Sequence, residues 1–141
     1  MASILKVDEM QGVTSAGDIT ITSEGGSATQ SLQQGVVKSW MNLDGDLATP
    51  AVLDSFNTAS ITDVGTGRYN QVVTNVFSNA NYSTTIGADA CDGGSTDMHA
   101  AVYNSGSATT TSTVQVIGLT SNGTAFSDLE HICAISAGDL A

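Results

Sequence analysis

The chain has 141 residues, enough for one domain with a real core, and it sets three basic residues against fourteen acidic ones, a formal net charge of −11. That balance excludes nucleic acid, whose phosphates need clustered Lys and Arg, and it excludes docking on anionic lipid for the same reason. No segment approaches the run of about 20 apolar residues that inserts in a membrane, and at 40% apolar the chain is too hydrophobic to stay disordered.

The abundance of Thr, Val, Ile and Gly, with few strong helix formers, predicts an all-β domain with many turns. The opening MASILKVDEM lacks a long apolar core behind a basic start, so it reads as a chain made and folded in a cytoplasm. Residues 1–34 form a thin leading segment: SILKV and DITITSE are strand-like, the second with Ile19 and Ile21 facing one way and Thr20 and Thr22 the other. Such short runs bury little alone and need a neighbour, either their own domain or sister chains. The Gly25–Gly26 break and the polar stretch after it suggest a linker or collar.

Residues 35–141 carry a series of short strand candidates, each closed by a turn signal. VVKSWMNL ends at DGD, VLDSFN is followed by ASITDV, and RYNQVVTNVF ends at SNAN. YSTTIGA, DMHAAVYN, STVQVIGLT and LEHICAIS complete the series. This spacing predicts an antiparallel β-sandwich or jelly-roll-like domain with a short N-terminal β extension. Within SITDVGTGRYN, Gly65 and Gly67 suit the positive φ of a tight hairpin, and Asp63 and Arg68 are placed to face across it. In VVKSWMNL, Val37, Met41 and Leu43 read as the core face. Trp40 shares the other face with Val36, Lys38 and Asn42, which makes it either a subunit contact or an aromatic tucked under a loop.

Catalytic context is sparse. GADACDGGSTDMHA gathers Asp89, Cys91, Asp92, Asp97 and His99, but in no zinc or calcium spacing, and NLDGD lacks the second half of a calcium loop. His99 and His131 sit in no nucleophile elbow or metalloprotease motif, and no phosphate or dinucleotide loop is present. No cofactor, metal or enzyme activity is therefore expected. His131 and Cys133 lie two apart on one strand and share a face, where packed or interface roles are the default. Cys91 and Cys133 are too few for a disulfide framework, leaving one bridge or, as a cytoplasm favours, two separate thiols.

Several of these residues also carry a resemblance. LKVDEMQGVTSAGDITITSEGG, GVVKSWMNLDG, DSFNTASITDVGTGRYNQVV and ANYS resemble a module of tailed-bacteriophage virion proteins, of the marine and cyanophage type. The matching positions are Lys38, Trp40, Asn42 and Gly45; Ser55, Phe56 and Asn57; Ser60 to Asp63; Gly65 to Gly67; and Tyr69. The likeness runs from near the start to about Ser83.

It implies a virion structural protein, made in the host cytoplasm, that forms a short trimeric tail-fibre or fibre-like appendage. Such a protein would assemble through its β domain, beside other tail or capsid proteins, and contact a host-surface glycan or protein. A capsid decoration protein is the alternative, because the chain lacks a long shaft. A polysaccharide-degrading enzyme or a free carbohydrate-binding module is less expected. On this reading Trp40, Tyr69, His131 and Cys133 are candidates for the subunit interface, and Asp92, Asp97, Asn104 and Asn122 for exposed tip loops.

Overall fold

The computed structural model describes residues 4–14, 19–23, 25–89, 99–102, 109–120 and 124–141. These described residues form antiparallel β-strands with one short helical turn, and the chain's contacts divide it into two units, 1–36 and 37–141.

The first unit contains a small hairpin in which β1 (Thr20–Thr22) pairs with β2 (Thr29–Ser31), so the expected linker is partly occupied by a strand. Gly26, at φ 73°, makes the turn between them, and β2 runs directly into the helical turn α1 (Leu32–Gly35). The expected strand at SILKV is not formed: residues 4–14 pair with nothing in a ladder, and none of the unit's described residues is buried. A run of apolar side chains with no sheet to join has no reason to be extended and paired.

Among the described residues the second unit has eight strands in two four-stranded sheets. One sheet has the order β4 (Ala51–Phe56), β3 (Ser39–Asp44), β10 (His131–Ala137), β7 (Ser83–Asp89). The other has the order β5 (Thr58–Gly65), β6 (Arg68–Val73), β9 (Thr113–Leu119), β8 (His99–Val102). All ladders are antiparallel. Both sheets supply one apolar core: Met41, Leu43, Ile132 and Ala134 from the first, Tyr69, Val73, Val114 and Val116 from the second. Phe77 and Leu129 fill the core from the connections.

Strand period 2 sets which residues enter that core. In β3 the buried residues are Ser39, Met41 and Leu43, while Trp40, Asn42 and Asp44 face outward. Met41 and Leu43 therefore take the core positions expected of them. Val37 does not: it is 40% exposed, because β3 begins only at Ser39, and the buried position before the strand is Lys38 at 6%.

The hairpin in SITDVGTGRYN is present, β5 returning as β6 through Thr66 and Gly67. Gly65 has φ 122° and Gly67 φ 61°, values that side chains resist. Asp63 and Arg68 do not pair across it. A register shift puts Asp63 opposite Tyr69, and its carboxylate accepts from the Gly65 N–H at 2.8 Å. Arg68 lies over the Phe126 ring, 5.1 Å from its centroid, and donates to the Val64 carbonyl at 3.3 Å.

Candidate functional site

Two surfaces stand out, one in each unit. In the first unit, Ile4, Leu5, Val7, Met10, Val13 and Ile21 are all more than half exposed, Val13 completely so. In the second, the outward face of the β4-β3-β10-β7 sheet carries a strip set by strand register. Phe56 is the cross-strand partner of Trp40, Trp40 of Ile135, and Ile135 of Thr85. Phe56 is 54% and Ile135 49% exposed, and Trp40 is partly buried between them. Directly opposed side chains on one face lie about 5 Å apart, so the three form a continuous apolar strip.

The next outward row is polar: Asp54 opposite Asn42, Asn42 opposite Cys133, Cys133 opposite Gly87. The Cys133 thiol is free and exposed, and donates to Asn42 Oδ1 at 3.6 Å. His131, two residues earlier on the same face as Cys133, has its Nε2 3.9 Å from Glu130 Oε1. Trp40, His131 and Cys133 thus occupy one sheet face, and the Trp40 side chain lies on the sheet surface with Phe56 and Ile135 as cross-strand partners.

Tyr69 is elsewhere, and its candidacy as a subunit contact is corrected: it is fully buried in the chain's own core. Its hydroxyl donates to Asp128 Oδ1 at 2.6 Å, with the Gly45 carbonyl oxygen 3.0 Å away. The same Asp128 oxygen accepts from the Gly67 N–H at 2.6 Å, and the Gly45 N–H bonds to Leu129 O at 3.0 Å. Gly45 has to be glycine, since a Cβ there would lie 2.6 Å from the Tyr69 hydroxyl. Burial, then the bond to Asp128, then the charges of Asp128, Asp63 and Asp46 hold the Tyr69 phenol well above its ordinary pKa. This is a structural lock joining the β3–β4 loop, the β5–β6 hairpin and the 127–129 segment.

Asn57 forms a second lock at the corner where β4 passes into β5. It adopts φ 58°, tolerated by Asn, and its amide donates to Lys38 O at 2.9 Å and to Asn75 O at 3.0 Å. Its Oδ1 accepts from the Asn75 N–H at 2.7 Å. A third contact stacks Tyr82 on Phe77, centroids 3.9 Å apart, with the Tyr82 hydroxyl directed at Thr113 O at 2.9 Å. Burial pushes the Tyr82 pKa up to about 12.

Asp92, Asp97, Asn104 and Asn122, and with them Cys91, lie outside the described residues. Among the described residues no group of three or more His, Cys, Asp or Glu could hold a metal ion, and no helix is long and apolar enough to cross a membrane. In the NLDGD turn, Asp44 Oδ1 accepts from the Asp46 N–H at 3.2 Å, an ordinary Asx turn. Sequence reasoning missed Phe56 and Ile135, which only register places beside Trp40, and Asp128, whose partners are far away in the chain. In comparisons with protein families, curated proteins and solved structures, nothing matches the chain.

Proposed function

We propose that this chain is a structural protein of a bacteriophage virion, a short fibre-like appendage assembled from three copies. On this reading the second unit is a β-sandwich directed outward, and the first unit is the segment through which the chain is held. The observation that carries the proposal is the first unit's surface. Ile4 at 79%, Leu5 at 77% and Val13 at 105% exposure are left uncovered by the described residues of their own unit. A stretch of that kind gains roughly 1.5–3 kcal/mol for each such side chain once a neighbour buries it. The resemblance of Lys38, Trp40, Asn42, Gly45, Ser55–Asn57, Ser60–Asp63, Gly65–Gly67 and Tyr69 to the phage module supports the virion as the place where that neighbour is found. The locks at Tyr69 and Asn57 make a rigid domain, as a virion component outside the cell requires.

Sedimentation equilibrium tests assembly: a mass of three chains is expected, and a single-chain mass at all concentrations would overturn it. Particles made without the chain test the role. Loss of adsorption supports a fibre, whereas intact adsorption with a weakened shell would replace the fibre with a capsid decoration protein.

A further inference from the structure

We infer that the Lys6–Val7 peptide bond is the one site at which a protease of basic specificity, cutting after Lys or Arg, opens the folded chain. The effect of assembly on that site rests on the reading above, in which a neighbour covers the first unit.

Such a protease needs two things at its cleavage point. One is a cationic side chain free to enter its pocket; the other is a backbone able to leave its own hydrogen bonds and lie extended in the cleft. The chain offers three bonds, after Lys6, Lys38 and Arg68. Lys38 meets neither requirement. Its side chain is 6% exposed, its N–H donates to Ser136 O at 2.9 Å, and its carbonyl accepts from Asn57 Nδ2 at 2.9 Å. The next residue, Ser39, begins β3, which lies between β4 and β10.

Arg68 fails as well. Its guanidinium lies over the Phe126 ring and donates to the Val64 carbonyl, and its backbone is paired with Gly65 of β5 and Ile117 of β9. Gly67 before it is fixed on both sides: its N–H donates to Asp128 Oδ1 at 2.6 Å, and its carbonyl accepts from the Gly118 N–H at 2.8 Å. Tyr69 after it is buried in the core. Cleavage after Lys38 or Arg68 therefore waits for the sheets to open.

Lys6 differs on both counts. Every residue from Ile4 to Gln11 is exposed, and residues 4–14 enter no ladder. Hydrolysis there adds one water across the amide, leaving a carboxylate on Lys6 and an ammonium on Val7. It parts Ile4 and Leu5, two of the most exposed apolar side chains, from the second unit. A neighbour that covers this segment also closes the bond to the protease.

The test digests the full-length chain with trypsin over a dilution series and reads the fragments by mass spectrometry. The first product expected is residues 7–141, formed at least about a hundredfold faster than any cut after Lys38 or Arg68, because those bonds open only in a rare unfolded population. The thermally unfolded chain should be cut after all three residues. Lys6→Gln should leave the folded chain whole over the same period. As concentration rises and copies assemble, cleavage after Lys6 should slow. Cutting after Lys38 or Arg68 at a rate comparable with Lys6 overturns the inference. So does a folded chain resistant at every dilution, or a Lys6→Gln variant cut as fast as the wild type. A chain whose mass rises to three copies while its Lys6 cleavage rate stays constant keeps the site but removes the first unit from the contact. A single-chain mass at every concentration overturns the assembly reading and the protection with it, while the fragments still decide the site.

Discussion

The Tyr69–Asp128 contact gives the sharpest test of the fold's wiring. Tyr69→Phe keeps the ring in the core and removes only the hydroxyl, so no cavity of consequence opens. What is lost is a 2.6 Å hydrogen bond to a carboxylate, the class worth about 1.5–3 kcal/mol. Asp128 itself is exposed, so water can re-solvate its free oxygen, and the lower end of that range applies. A loss of about 1.5 kcal/mol should lower the melting temperature by roughly 6 °C for a unit of this size.

Calorimetry or circular dichroism on Tyr69→Phe, Asp128→Asn and the double variant measures it. Asp128→Asn weakens two bonds at once, from the Tyr69 hydroxyl and from the Gly67 N–H. It should therefore cost more than Tyr69→Phe, and the double variant should cost less than the sum, with a coupling of about 1 kcal/mol. If Tyr69→Phe melts within about 1 °C of wild type, or if the two costs simply add, the lock is not energetically significant and the reasoning fails.

Gly45→Ala should be far worse than a surface substitution. Its Cβ would lie 2.6 Å from the Tyr69 hydroxyl and 3.0 Å from Leu129 O, both fixed, so a loss above about 3 kcal/mol, seen as an early urea midpoint, is expected. Asn57→Ala removes the side-chain bonds to Lys38, Asn75 and the Asn75 N–H and puts Ala at φ 58°, so about 2–4 kcal/mol should disappear in the same titration. The buried phenols predict alkaline lability. Both folded pKa values are raised, so the stability they contribute is intact below the unfolded value of 10.0 and falls as pH climbs, for Tyr82 through about 12. Melting temperature should be flat on this account up to about pH 10 and then drop, with tyrosinate absorbance appearing together with unfolding.

The strand series was legible because alternation and turn residues are local signals. VVKSWMNL, RYNQVV and LEHICAIS each form a strand close to where the pattern puts it, with Met41, Leu43 and Ile132 inward. SILKV failed on the same logic: apolar residues make a strand only when another strand accepts them. Tyr69 shows where local reading stops. The sequence places it at the start of a return strand, but which face it takes depends on register, and its partner Asp128 is 59 residues away. Phe56 and Ile135 were invisible as a pair with Trp40 for the same reason, since cross-strand adjacency is a property of three strands from distant parts of the chain.

The motif residues separate into two groups by what they touch. Gly45, Asn57, Gly65, Gly67 and Tyr69 are accounted for by the fold: each occupies a φ or a close approach that its neighbours enforce. Trp40 and Phe56 are not. A solitary soluble domain loses nothing by carrying Thr or Lys at such outward strand positions, and gains solubility, because exposed aromatic pairs on a sheet surface invite association. No contact among the described residues requires an aromatic pair at these outward positions. The same consideration applies to Ile4, Leu5 and Val13 in the first unit, where the exposure is larger and none of the described residues is buried. The locks at Tyr69 and Asn57 account for the motif residues inside the second unit, and nothing among the described residues accounts for the apolar side chains left outside it.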